Sequence, residues 1–372
     1  MTNFLTPVGS QPRGLVKING TVIDGWLDFD VDNNSFFSAD TFRLTLAAGA
    51  LPSTMDAVWF CAQQDMYVEL FIGFPNDPTN YGPQDLTSWI YGQTDEIDYD
   101  PVNNTITLTG RDLTRVFIDT KTTQKWQNLT SSQIATQLAQ SHGLTPVVTA
   151  TTIKAGKLYE IDHVNVTDER SEWDILNYLA NAEGFIVYVR GQSLYFQPAP
   201  APNTTPYQIV WTPPSSNTGA SANFMHVNFK RALTVSRGIQ VIVRSWNKKQ
   251  AKGFVAKFPS NVKTIQVGKS TVGAGVQIYS KTVANLDQAT ADQYAQNWYN
   301  QLVQHEMRFD NLRMPGDNNL DVTSLISLTG TGTVFDQTYY PDSINRSISF
   351  DGGYQMTVAA KNHSPDSQVG TL

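Results

Sequence analysis

The stretch SEWDILNYLANAEGFIVYVRGQSLYFQP, residues 171–198, changes its hydrophobic period midway, and that change sets the class of the fold. Trp173, Leu176, Leu179 and Ala180 recur at helical spacing, and Ser171 with Asp174 three residues on resembles a capping box. Gly184 supplies the left-handed residue that stops a helix. Residues 185–189 are β-branched and aromatic, 190–193 hold a glycine-containing turn, and 194–196 return before Pro198 ends the pairing. The unit reads as a capped amphipathic helix running into a β-hairpin. No nucleophile, base or ligand cluster sits on it.

On the N-terminal side the period is that of strands. Residues 26–31 alternate, with Leu27, Phe29 and Val31 on one face and Asp28, Asp30 and Asp32 on the other, and 41–46 alternate again after a polar turn. Residues 67–74 and the hairpin 89–109 complete an all-β region in which Glu96, Asp98 and Asp100 repeat the acidic pattern, with Ile97 and Tyr99 on the core face. A second helix is expected after Thr130, with Gln133 as its capping partner and Gly143 as its stop. On the C-terminal side strands return at 239–243 and 254–258. A helix follows at about 287–307 with Ala291, Tyr294, Trp298 and Leu302 on one side, and strands close the chain at 324–328, 339–349 and 354–360. Residues 89–112 and 338–362 line up as a weak internal repeat, each a strand, a tight polar turn, a strand and a charged exit.

Length and composition allow about two or three domains. Charged residues are only 16% of the 372, so the surface is filled by Thr, Asn, Gln and Ser and suits packing against other proteins. The single cysteine, Cys61, excludes an internal disulfide framework, and neither a signal peptide nor an apolar run of spanning length is seen. Net charge is −7, which argues against general nucleic-acid binding, but residues 184–286 contain no Asp or Glu and carry twelve of the 26 bases. The rest of the chain holds all 33 acids against 14 bases. Such opposed segments point to docking between subunits, with a nucleic-acid patch using Lys248, Lys249 and Lys252 as a sharper alternative.

Motifs for chemistry fail on spacing. The run 268–271, GKST, lacks the first glycine of a phosphate loop, because Lys263 stands there. Asp28, Asp30 and Asp32 mimic half a calcium loop, but Asn33 and Ala39 occupy the glycine and acid positions. His305 and Glu306 open a metalloprotease-like pattern that Phe309 breaks, and the five histidines, at 142, 163, 226, 305 and 363, never fall at ligand spacing. No catalytic residue, metal or cofactor is expected. The two acidic faces and eight tryptophans leave one alternative of another class, a carbohydrate-binding or glycan-cleaving module.

GRDLTRVFID at 110–119, NLTSSQIATQLAQSHGL at 128–144, the stretch at 171–198 and MPGDNNLDVTSLISLTGTGTVFDQTYY at 314–340, taken in order, resemble phage tail baseplate hub proteins of the late control gene D type over about residues 15–365. They are similar also to the N-terminal hub part of type VI secretion spike proteins. The resemblance implies an α+β, mainly β chain: two tail-tube-type antiparallel β-barrels with an inserted α+β region. Its expected parts are an N-terminal arm at 1–14, a first barrel at 15–115, the inserted region at 116–202 and 262–306, a second barrel at 203–261 and 307–365, and a polar tail at 366–372. It implies a structural, non-enzymatic hub, a homotrimeric adaptor joining a hexameric tail tube to a separate trimeric spike. Baseplate wedge proteins would be further partners, DNA would pass without specific binding, and no membrane anchor is needed. Such a hub is assembled in the host bacterial cytoplasm and resides in the virion tail. Asp28, Asp30, Asp32, Glu96, Asp98 and Asp100 are then expected to face the lumen, and Arg244, Lys248, Lys249 and Lys252 to make subunit contacts.

Overall fold

The computed structural model describes residues 11–36, 38–124, 126, 129–152, 170–198, 205–231, 239–247, 252–260, 277–283, 288–303 and 307–362. Lys248, Lys249, the GKST run, His163, His305, His363 and the expected tail lie outside the described residues, as does the expected arm up to residue 10. The chain forms two compact units, Met1–Asn228 with Phe309–Ala360, and Phe229–Arg308 with Lys361–Leu372.

In the first unit β1 (Arg13–Ile18) and β2 (Thr21–Ile23) turn on Asn19 and Gly20. β3 (Trp26–Asn34) and β4 (Thr41–Ala47) form the hairpin that the alternation predicts, with Asp28 opposite Thr45 and Asp32 opposite Thr41. Helix α1 (Ala57–Ala62), capped by the Asp56 side chain, precedes β5 (Tyr67–Gly73). β6 (Thr87–Asp100) and β7 (Thr105–Asp112) make a long hairpin. The order β3-β4-β7-β6-β5-β1-β2 is antiparallel throughout. Phe29, Val31, Leu44, Leu46, Ile106 and Leu108 are buried on one face, as period-two alternation requires.

Next come α2 (Thr114–Asp119), β8 (Lys121–Thr122), α3 (Ser131–Ser141), β9 (Thr145–Val148), β10 (Arg170–Ser171), α4 (Glu172–Glu183), β11 (Phe185–Arg190) and β12 (Ser193–Pro198). Both expected caps are present: Thr130 Oγ1 accepts from Gln133 N at 3.3 Å, and Ser171 Oγ from Asp174 N at 3.1 Å. Gly143 and Gly184 end their helices at φ +72° and +69°. Trp173, Leu176, Leu179 and Ala180 pack with Ile134 and Leu138 of α3 and with Val187, Val189, Leu194 and Phe196 of the hairpin, forming one core. β9 adds to β12 in parallel.

The first unit closes with β13 (Tyr207–Thr212), β14 (Ser221–Ala222) and the last strands. Its partner unit begins with β15 (Phe229–Arg231) and has a sheet of β16 (Ile239–Asn247), β17 (Lys252–Phe258) and β18 (Gln277–Thr282), on which α5 (Gln288–Val303) packs Ala291, Ala295 and Trp298. β16 therefore pairs with β18, although the expected boundaries put these strands in different parts. β19 (Met307–Pro315), β20 (Ile326–Thr329), β21 (Thr338–Ser349) and β22 (Gly353–Lys361) follow. β21 pairs with β3 from Ser343 opposite Asn34 to Ser349 opposite Asp28, which joins the two ends of the chain in one sheet.

Three expectations need correction. A bulge between Trp26 and Asp28 turns Leu27 outward, leaving it 37% exposed. Ile97 is half-buried and Tyr99 is 39% exposed, because no strand of this chain lies beside that end of β6 on the β5 side, among the described residues. Met307, the expected last residue of the preceding helix, begins a strand. The fold is mainly β and α+β, and among the described residues no pairing closes the strands into a barrel.

Candidate functional site

Cross-strand partners in a sheet share a face, so the registers decide where the acids lie. One row runs Ser347, Asp30, Arg43, Thr109 and Glu96 across β21, β3, β4, β7 and β6. The next runs Ser349, Asp28, Thr45, Thr107 and Asp98. Two acidic groups far apart in sequence thus share one face of one sheet, among Ser, Thr and Asn. They are separated by three strand spacings, about 14 Å. That exceeds a Debye length of about 8 Å, so within one chain each group acts largely alone.

The six acids differ in surroundings. Asp28 accepts from Thr45 Oγ1 at 3.0 Å and Asp32 from Asn345 Nδ2 at 2.7 Å. Burial, and next the neighbouring charge of Asp28, push the Asp30 carboxyl above its ordinary value, while Arg43 opposes this. Glu96 and Asp98 are exposed. Asp100 folds back on its own turn, accepting from Val102 N at 2.8 Å, Asn103 N at 3.0 Å and Asn103 Nδ2 at 2.6 Å. Those bonds hold its carboxyl below the usual range.

Of the expected contact bases, Arg244 is exposed on β16, opposite Val255 of β17 and Thr282 of β18, two residues from exposed Trp246. Lys252 is exposed, with Nζ 5.5 Å from the Phe254 ring centre. Both belong to the second unit, whereas the six acids belong to the first.

One constellation has no counterpart in the sequence reading. Arg346 of β21 is fully buried, its guanidinium 3.5 Å from the Trp89 ring centre. It donates to Asn33 Oδ1 at 2.8 Å and Leu320 O at 2.5 Å. Asn33 Nδ2 donates in turn to Asp40 Oδ2 at 2.8 Å. Burial pushes the Asp40 carboxyl up to about 7, against the hydrogen bonds from Asn33 and Asn34. Burial first, and Asp40 second, raise Asp112 well above its ordinary value. The cluster pins the β3–β21 seam. Its sequence signal is an arginine at an inward position of the alternating run INRSISF, residues 344–350.

Among the described residues no group of three or more His, Cys, Asp or Glu could hold a metal ion, and no helix is long and apolar enough to cross a membrane. His142 Nε2 and Glu172 Oε2 form a hydrogen bond at 2.5 Å, beside the Phe117 ring. Trp246 is the one exposed tryptophan of the eight, and the others are half-buried or buried.

No protein-family model matches the sequence, and no curated protein matches it. Solved structures do. A tail protein from Neisseria meningitidis MC58 is 14% identical with a TM-score of 0.64, over 94% of this chain and 96% of that one. The 43 kDa tail protein of prophage MuSo2 from Shewanella oneidensis is 14% identical with a TM-score of 0.62, over 95% and 99%. Prophage tail protein gp18 from Listeria monocytogenes EGD-e is 8% identical with a TM-score of 0.53, over 95% of each chain. At these identities the likeness is one of fold, and the chain has the fold of phage and prophage tail proteins over nearly its whole length.

Proposed function

We propose that this chain is the central hub of a phage tail or phage-derived particle, a homotrimeric adaptor without enzymatic activity that joins a hexameric tail tube to a separate trimeric spike. The observation that carries the reading is a repeated strand order. In the first part β7 lies between β4 and β6, and β6 is next to β5. In the last part β22 lies between β19 and β21, and β21 is next to β20. Chain order and spatial order match strand for strand, which supports two similar tube-type units, within 15–115 and 307–365. Three chains with two units each offer six similar edges to a hexameric tube while keeping threefold symmetry for a spike.

The shared acidic face then lines the channel. DNA carries about one charge per 1.7 Å of axis, and a wall with Asp28, Asp30, Asp32, Glu96 and Asp98 repels phosphate and gives it nothing to hold. The first units of three chains around one bore bring the separate groups into a common field. Gold-labelled antibody against the chain is expected at the end of the tail distal to the head. Label along the tube or on the capsid would contradict the hub.

A further inference from the structure

We propose that residues 95–100 of β6 are a docking edge for a second copy of this chain, whose residues 225–231 add to it as an antiparallel strand. The seam so formed repeats the β3–β21 seam within each chain. The proposal rests on the hub reading only for the number of copies that close a ring.

The repeated strand order gives β6 and β21 as counterparts. β21 has β22 on one side, and on the other β3 covers Ser343–Ser349. β6 has β7 on one side, and on the other β5 covers only residues 87–93. Beside 95–100 no strand stands on that side, among the described residues. A row of unpaired N–H and C=O groups is a template for another strand.

The counterpart of β3 is also present. β3 lies antiparallel against β4, and His226 forms an antiparallel bridge with Arg313 of β19, the counterpart of β4. Met225 N donates to Arg313 O at 2.7 Å and Arg313 N to His226 O at 2.8 Å. This segment continues in sequence into Phe229, Lys230 and Arg231.

The side chains of the two edges match face by face. On the core side β6 offers half-buried Ile97 and exposed Tyr99, and the segment offers half-buried Val227 and Phe229. On the polar side Glu96, Asp98 and Asp100 meet His226, Asn228 and Lys230. Cross-strand pairs of complementary polar and charged side chains favour one register over its neighbours. A notch of about 230 Å³ lies where β5 stops, lined by Gln63, Asp65, Met66, Thr94, Asp95 and Ile97. Thr94 Oγ1 is buried there without a hydrogen-bond partner among the described residues. At the corresponding end of the internal seam, Ser35 N donates to Asp342 O at 2.6 Å, so the end of β3 fills that place. The two surfaces differ, so the contact is head-to-tail and builds a ring when its rotation closes.

The test is disulfide trapping in assembled particles, in a Cys61→Ser background. Three pairs bracket the register: Glu96→Cys with Lys230→Cys, Asp98→Cys with Asn228→Cys, and Asp100→Cys with His226→Cys. At least one pair is expected to give covalent chains up to trimer on oxidation, while each single variant gives none. A charge reversal, Glu96→Lys with Asp98→Lys, should lower trapping by about tenfold, and His226→Glu with Lys230→Glu in the same chain should restore it. Absence of inter-chain links for all three pairs, in particles that still hold three copies, overturns the seam and leaves the hub standing. A copy number other than three overturns the hub reading, and trapping then still reports on the seam.

Discussion

Arg346 and Asp40 show how much a few side chains decide. A buried guanidinium without a directly paired carboxylate is held by hydrogen bonds to Asn33 and Leu320 and by the Trp89 ring, while its Nε has no hydrogen-bond partner among the described residues. Asp40 is drawn into the same network, and its pKa of about 7 lies above the 3.8 of the free side chain. The folded state therefore binds a proton more tightly than the unfolded state. The stability this group contributes is complete below about pH 4 and is lost as pH rises through about 7. Asp77, Asp100, Asp119 and Asp336 are shifted downward, so their contributions fade only on the acid side. The melting temperature should thus fall between pH 5 and pH 8, and Asp40→Asn should flatten that fall. An unchanged slope in the variant would place its source elsewhere. None of this was legible beforehand, since alternation ranks Arg346 as one polar residue in a strand and says nothing of which distant carboxyls reach it.

Local signals served best at the level of elements. Caps at Thr130 and Ser171 and stops at Gly143 and Gly184 depend on neighbours three or four residues away, and they stand where the sequence puts them. Long-range partners were less legible. Leu27 and Tyr99 follow the alternation, yet a bulge exposes the first and a missing neighbour strand the second. Gly110 on β7 shows a constraint of the same kind. A Cβ there would lie 2.2 Å from Gln93 O and 2.7 Å from the Phe42 ring, so the hairpin needs glycine for close approach. Gly110→Ala is expected to cost about 1–3 kcal/mol in urea unfolding. A loss within 0.5 kcal/mol would mean that β6 and β7 shift freely, against the register described.

For the whole molecule, the charge split seen in composition separates by unit: acids on a sheet face of the first, Arg244 and Lys252 on the second. If that face lines a channel, a charge reversal there should disturb passage and spare assembly. Asp28→Lys places a cation opposite Thr45 and Ser349, so that neither cross-strand neighbour is a base. Particles are expected to form in normal numbers and to deliver DNA less efficiently; unchanged delivery would remove the acids from the lumen. The central claim is the number and place of the copies. A reconstruction of the particle by electron cryomicroscopy, without imposed symmetry, is predicted to show three copies of this chain around the tail axis between tube and spike, with two sheet units each facing the tube. One copy, six copies, or a position away from the axis would contradict it.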